Sequence, residues 1–138
     1  RDPRAHFHLA VSLVHLGRED EALAGFRRAL EIEPAMSEAW YNAGALYLRR
    51  DEADLAARAF EQSLRLRPEH AAAWNNLGKA YFLLGLGQLA EQAFRQALEL
   101  DPAHAPALRN MALIARATGA EDDAMRYEQR LRELQGEG

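Results

Sequence analysis

The sequence repeats with a period of 34 residues, and this period limits the possible folds more than any other feature. Residues of the same type recur at this spacing in six pairs: Trp40/Trp74, Gly44/Gly78, Tyr47/Tyr81, Ala56/Ala90, Phe60/Phe94 and Pro68/Pro102. Four units (3–36, 37–70, 71–104 and 105–138) continue the pattern to the end of the chain without an insertion. A fixed period of this length is typical of stacked repeats, so residues 1–138 are predicted to form a single repeat domain.

Proline and glycine divide each unit into two helices. Pro34, Pro68 and Pro102 end the second helix, because proline disfavours helix in the residue before it. A turn glycine follows the first helix in three units, and in the remaining unit Asp51 stands there and is expected to cap the next helix. The spacing predicts eight helices: 3–16, 20–32, 37–50, 53–66, 71–84, 88–100, 105–117 and 121–134.

Small and aromatic columns indicate how the two helices of a unit pack. Two columns of small residues face each other and allow close approach: Ala10, Gly44, Gly78 and Ala112 in the first helices, and Ala22, Ala56, Ala90 and Ala124 in the second. Trp40, Trp74, Phe60 and Phe94 are expected to fill the core. One such helix pair cannot bury its apolar face alone, so stability should come from stacking.

The pattern W-x-x-L-G-x-x-Y…A-x-x-x-F…P resembles the tetratricopeptide repeat. The third unit carries it as Trp74, Leu77, Gly78, Tyr81, Ala90, Phe94 and Pro102. The resemblance implies an all-α fold, a right-handed superhelical α-solenoid of four helix-turn-helix repeats whose concave surface is lined by the first helices. Glu128 replaces phenylalanine in the last unit, which is therefore expected to act as a C-terminal cap.

Composition and motifs exclude several functions. A net charge of −4 disfavours nucleic-acid binding. The sequence contains no apolar run of about 18 residues, so no membrane-spanning helix is predicted. Cysteine is absent, the five histidines do not combine with other ligands at metal spacing, and no nucleotide-binding or hydrolase motif is present. The chain is therefore predicted to be no enzyme and to bind no metal or cofactor. Cytoplasmic and periplasmic locations are both compatible with the sequence.

One face of the first helices is predicted to bind a ligand, because apolar and basic side chains recur where a plain solvated face would be mostly charged. The predicted binding residues are Tyr41, Asn42, Arg49, Asn76, Lys79, Phe82, Leu83, Arg109, Asn110, Leu113 and Arg116. Phe7, Val11 and Val14 are assigned to the same face. Its positive charge on an acidic chain favours an acidic or amphipathic protein or peptide as partner.

The asparagine column Asn42, Asn76 and Asn110 has two interpretations. Each amide can pair with the backbone of an extended peptide, as in the similar asparagine ladder of O-linked GlcNAc transferase. Alternatively, asparagine belongs to the general repeat pattern and contributes little.

Three functions fit these observations. The leading hypothesis is a protein-interaction scaffold that holds a peptide segment in a concave, basic and apolar groove. The second is an accessory region that presents substrate to a larger glycosyltransferase or sulfotransferase. The third is a self-assembling repeat protein, because the first helix is apolar nearly all round and requires either preceding repeats or a partner to cover it.

Overall fold

The computed structural model describes residues 2–136, which form eight α-helices and no strand. The helices are α1 (Pro3–His15), α2 (Glu19–Ile32), α3 (Ser37–Arg49), α4 (Ala53–Leu66), α5 (Ala71–Leu83), α6 (Gly87–Leu100), α7 (Ala105–Ala117) and α8 (Glu121–Leu134). Each boundary lies within one residue of its predicted position, and the all-α helical-repeat solenoid is confirmed. The predicted domain 1–138 includes residues 1, 137 and 138, which lie outside the described residues. The last two of these also belong to the predicted last repeat, 105–138.

The helices pack in two compact units, one up to Pro68 and one from Glu69. In the first unit α1 packs on α2, α2 on α3, and α3 on α4. In the second unit α5 packs on α6, α6 on α7, and α7 on α8. Each unit therefore contains two antiparallel helix pairs joined through the second helix of one pair and the first helix of the next.

The phenylalanine column forms the centre of the core. Phe26, Phe60 and Phe94 are the largest fully or almost fully buried side chains. The tryptophans, in contrast, are only half-buried, and the indole N–H of Trp40 donates to the carbonyl of Pro34 at 2.8 Å. The second helix of each pair thus supplies the main core aromatic, while Trp40 and Trp74 lie at its boundary.

Glycine in the first helix makes room for this phenylalanine. A Cβ added to Gly44 would lie 2.8 Å from Cε1 of Phe60, and one added to Gly78 would lie 2.5 Å from Cε1 of Phe94. Real Cβ atoms do not approach other atoms so closely. The small column predicted from the sequence is therefore a steric requirement of the buried rings.

In the first helix pair the small residues are exchanged: alanine stands in the first helix and glycine in the second. Ala10 stands where α3 and α5 have glycine, and Gly25 in α2 lies opposite, so a Cβ on Gly25 would be 2.9 Å from Cβ of Ala10. At the positions equivalent to Gly25, α4 and α6 carry Ala59 and Ala93. The role of Gly25 is not visible in either small column taken alone, because it depends on which residue stands opposite in α1.

The turn between the helices of a pair uses a left-handed residue in all four repeats. Gly17, Gly85 and Gly119 have φ angles of 77°, 79° and 80°. Asp51 occupies the same position with φ 61°, and the N-cap position of α4 is Glu52, which makes no side-chain capping bond. The expectation that Asp51 caps α4 was therefore wrong, since it takes the place of the turn glycine.

Asp51→Gly is expected to stabilise the protein by about 1 kcal/mol, because a left-handed conformation costs roughly 1–2 kcal/mol for a residue with a Cβ. Part of this gain is offset by the larger entropy that glycine loses on folding. Thermal unfolding followed by circular dichroism measures the change. The reverse substitution Gly85→Asp should lower the midpoint, and a lower midpoint for Asp51→Gly would contradict this account of the turn.

The first helix differs from its predicted orientation. Phe7 was assigned to the exposed face, but it is buried, with its ring centroid 5.9 Å from that of Phe26. Val11 and Val14 are half-buried against the same core. The large apolar side chains that are exposed here are instead Leu9 in α1 and Leu16 at its C-cap.

Candidate functional site

The second unit contains a surface cavity of about 220 Å³, lined by residues of α5, α6 and α7, which we call the cleft. Its lining residues are Lys79, Phe82, Leu83, Phe94, Asn110, Leu113, Ile114 and Ala117. Five of these were predicted from the sequence as binding residues: Lys79, Phe82, Leu83, Asn110 and Leu113. Tyr41, Asn42 and Arg49 belong to the first unit, while Asn76, Arg109 and Arg116 lie in the second unit outside the cleft lining.

Large apolar side chains stand exposed around the cleft. Phe82 is 59% exposed, Leu83 58% and Leu113 67%. Ile114 and the buried Phe94 supply further apolar lining, so the cleft surface is almost entirely hydrocarbon. Such surface gathered in a concavity is typical of a binding site rather than of scattered surface leucines.

These side chains are particular to the second unit. At the equivalent positions, 68 residues earlier, the first unit has smaller or polar side chains. There Val14, His15, Ala45 and Arg49 correspond to Phe82, Leu83, Leu113 and Ala117. The repeat fold itself therefore does not require an apolar cleft here.

The asparagine column makes hydrogen bonds inside the protein. The amide nitrogen of Asn110 donates to Oδ1 of Asn75 at 2.9 Å, and Asn75 is only 4% exposed. The amide nitrogen of Asn42 donates to the carbonyl of Glu38, one turn earlier in α3, at 2.8 Å. Both amides thus commit one N–H to the protein itself. Asn75 was not predicted, and its only sequence signal is a polar residue in the column that contains Phe7 and Tyr41.

Tyr41 shows what that column does. Its ring lies 5.8 Å from that of Phe60, and its side chain is half-buried. The buried Phe7 contacts Phe26 in the same manner. The column therefore packs against the core phenylalanine of its own repeat in the first unit.

Two of the four basic side chains predicted to bind a ligand are neutralised locally. Arg49 pairs with Glu19 at 2.9 Å, and Arg116 pairs with Glu121 at 2.5 Å and with Glu128 at 2.6 Å. In contrast, Lys79 and Arg109 are exposed and form no ion pair with any residue among 2–136. Of these two side chains, Lys79 lies at the cleft itself.

The Arg116 ion pairs join α7 to α8. The hydrogen bond from Arg116 lowers the pKa of Glu128 below its usual value, and the same bond raises the pKa of Arg116. A carboxyl group with a lowered pKa stabilises the folded state above its unfolded pKa, and this contribution is lost as the pH falls through the folded value. Glu128 stands where the other repeats have phenylalanine, so an ion pair replaces the aromatic contact in the last repeat.

Two further properties concern only the described part of the chain. None of its helices combines the length and apolar character needed to cross a membrane. Residues 2–136 also contain no group of three or more His, Asp or Glu side chains arranged to hold a metal ion.

Solved structures with the same fold are available for comparison. A crystal structure of MamA superposes with a TM-score of 0.92 at 21% identity, covering 97% of this chain and 78% of that one. The MamA 41-end structure from Desulfovibrio magneticus RS-1 gives 0.90 at 24% identity, covering 97% and 76%. At these identities the likeness concerns the fold alone. Comparison with curated proteins gives no significant match.

Family models identify the repeat directly. One model described as tetratricopeptide repeat matches residues 41–105 and 85–137, and a second with the same description matches residues 3–35. Together the matches cover nearly the whole sequence. The chain belongs to the tetratricopeptide repeat family, and a role as a protein-binding scaffold is consistent with that family.

Proposed function

We propose that this protein is an interaction scaffold and that its cleft binds a peptide segment of another protein. The observation that supports the proposal is the exposure of Phe82, Leu83 and Leu113 around one cavity, in a unit whose counterpart lacks such side chains. The helical-repeat fold is typical of scaffold proteins without catalytic activity. The cleft lining also offers no pair of acid and base groups, since its one ionisable side chain is Lys79.

The apolar surface supplies the energy for binding. Fully burying a Leu or Phe side chain contributes roughly 1.5–3 kcal/mol, and these side chains retain more than half of their surface for a partner to cover. Each would therefore contribute about 1–2 kcal/mol. Three such contacts sum to about 3–6 kcal/mol, which is comparable to the entropy cost of association, so a stable complex needs further contacts beside these three.

Charge selects among apolar partners. Lys79 at the cleft and Arg109 on α7 have no carboxylate partner among the described residues. A segment with acidic residues beside its apolar ones would supply that partner, whereas a basic segment would be repelled. This favours an amphipathic segment with acidic residues.

Leu113→Glu is expected to weaken peptide binding by at least about tenfold, since it removes an apolar contact and places a carboxylate in a hydrocarbon cleft. Peptides selected on the wild-type protein from a random displayed library provide the ligands, and isothermal titration gives their affinities. Met125→Glu is the matched control, because Met125 is 60% exposed on α8 and lies outside the cleft. Selected peptides that bind the Leu113 and Met125 variants equally well would exclude the cleft as the binding site.

Self-assembly is a second candidate function, favoured by the exposed Leu9 on α1 and the exposed Leu16 at its C-cap. These residues replace Phe7, Val11 and Val14 as the apolar contact that α1 offers to a second copy. Leu9→Glu together with Leu16→Lys should therefore reduce any growth of the sedimentation coefficient with protein concentration. Association that is unchanged in this double variant would place the contact elsewhere on the protein.

Presentation of a substrate to a catalytic domain remains compatible with the same cleft. In that case the bound segment would belong to the substrate of the enzyme, and Leu113→Glu would lower turnover of protein substrates without affecting short ones.

A further inference from the structure

The conformation of the bound segment follows from what the cleft can and cannot hydrogen-bond. We infer that the cleft binds an amphipathic α-helix of a partner protein, with large apolar residues on one face and a carboxylate at the edge of that face, rather than an extended strand. The inference rests on the proposed function of the cleft and specifies its ligand.

An extended peptide would find few hydrogen-bonding partners in the cleft. Its backbone N–H and C=O groups are unpaired, and each one buried without a partner costs about 1–3 kcal/mol. The cleft is lined by residues that lie beyond the first turn of three helices, so their backbone N–H groups already bond within the helix and are not offered to a ligand. Among the lining side chains only Lys79 and Asn110 are polar, and Asn110 commits one N–H to Asn75.

A helix does not have this difficulty. All its interior backbone groups bond within the helix, so it can cover hydrocarbon with side chains alone. Asn110, with one N–H committed to Asn75, can offer an extended peptide only its second N–H and its side-chain oxygen, whereas a helical ligand needs no backbone partner from the cleft.

Apolar side chains are also exposed next to the cleft residues in the sequence. The α5–α6 turn carries further leucines, and residues 80–90 contain no charged side chain. The exposed apolar residues of this stretch are Phe82, Leu83, Leu84, Leu86 and Leu89. The corresponding turns of the other repeats contain Arg18-Glu19-Asp20-Glu21, Asp51-Glu52 and Glu121-Asp122-Asp123. The third repeat has thus lost the charges that normally solvate this turn.

An amphipathic helix matches this longer surface. Side chains at positions i, i+3, i+4 and i+7 lie on one face over about 10 Å, whereas an extended chain points every second side chain away. The cleft would hold one apolar side chain of the helix, and the turn leucines would contact the next. Lys79, without a carboxylate partner among the described residues, would pair with an acidic residue beside the apolar face.

Three fluorescein-labelled synthetic peptides of 18 residues test the inference by fluorescence anisotropy with the intact chain. The first is an alanine-based helix with leucine at i, i+3, i+4 and i+7 and glutamate beside that stripe. The second has the same composition but two central D-residues, which break the helix. The third has lysine in place of glutamate. We expect the first peptide to bind at least about tenfold more tightly than either of the others.

Variants of the protein locate the complex. Leu86→Glu on the turn should weaken the first peptide by about tenfold, while Met125→Glu should leave its affinity unchanged. Equal binding of the helical and helix-broken peptides would overturn the inference of a helical ligand while leaving the cleft as a peptide site. Failure of the helical peptide to bind, when library-selected peptides do bind in a Leu113-dependent manner, would also overturn it. If library-selected peptides bind independently of Leu113, the proposed function itself fails.

Discussion

Phe60→Ala is expected to lower the free energy of unfolding by about 3–5 kcal/mol, the usual loss when a buried aromatic ring is removed. Phe60 has no exposed surface, and its ring lies against Gly44, which has no side chain to fill the space left behind. The free energy of unfolding of a domain is typically about 5–15 kcal/mol, so this single change would remove a large part of it. Urea denaturation followed by circular dichroism measures the loss.

Phe82→Ala provides the matched control, because it deletes the same ring from a site that is 59% exposed. Its effect on the free energy of unfolding should stay within about 0.5 kcal/mol. Comparable losses for Phe60→Ala and Phe82→Ala would show that the phenylalanine column does not form the core.

Gly78→Ala is expected to destabilise the protein by about 1–2 kcal/mol even though alanine is the better helix former. Alanine would gain about 1 kcal/mol from helix propensity. Its Cβ, however, would lie 2.5 Å from Cε1 of Phe94, a buried ring with little room to move. Overpacking of this kind typically costs about 1–3 kcal/mol, and a contact this short belongs at or above the upper end of that range.

Gly87→Ala is the corresponding control in the same unit. Nothing lies within 4 Å of a Cβ added there, so the substitution should stabilise the protein by about 0.4–1 kcal/mol through the unfolded state. Gly78→Ala should also cost less in a Phe94→Leu background, because the residues in contact are then no longer both large and rigid. Stabilisation by Gly78→Ala would contradict the close contact with Phe94.

The helix boundaries could be predicted closely because they depend on local signals. Proline, the turn glycines and the apolar period act within a few residues, and the 34-residue repeat presents each signal several times. The lining of the cleft was predicted in part for the same reason, since Phe82, Leu83 and Leu113 fall on one face at 100° per residue.

The hydrogen bonds of the site could not be predicted in this way. Arg116 and Glu128 are 12 residues apart, and Asn75 and Asn110 are 35 apart, so their pairing depends on how helices pack. A helical face in the sequence does not reveal whether a polar side chain on it points to solvent or to a neighbour. Phe7 was assigned wrongly for a related reason. It lies at the edge of the predicted face, and its ring packs against Phe26 in the core.

The exchanged small residues of the first helix pair restrict how such an array can be rearranged. If a copy of α3 replaced α1, Gly44 would face Gly25 and leave a void; in the reverse graft, the Ala10 methyl group would take the place of Gly44, where a Cβ comes within 2.8 Å of Phe60. Each helix therefore fits only the partner against which it packs in this protein. Duplication, deletion or grafting of repeats in this protein should therefore preserve stability only when both helices of a pair are moved together. The helix pair, and not the single helix, is the smallest segment that can be exchanged.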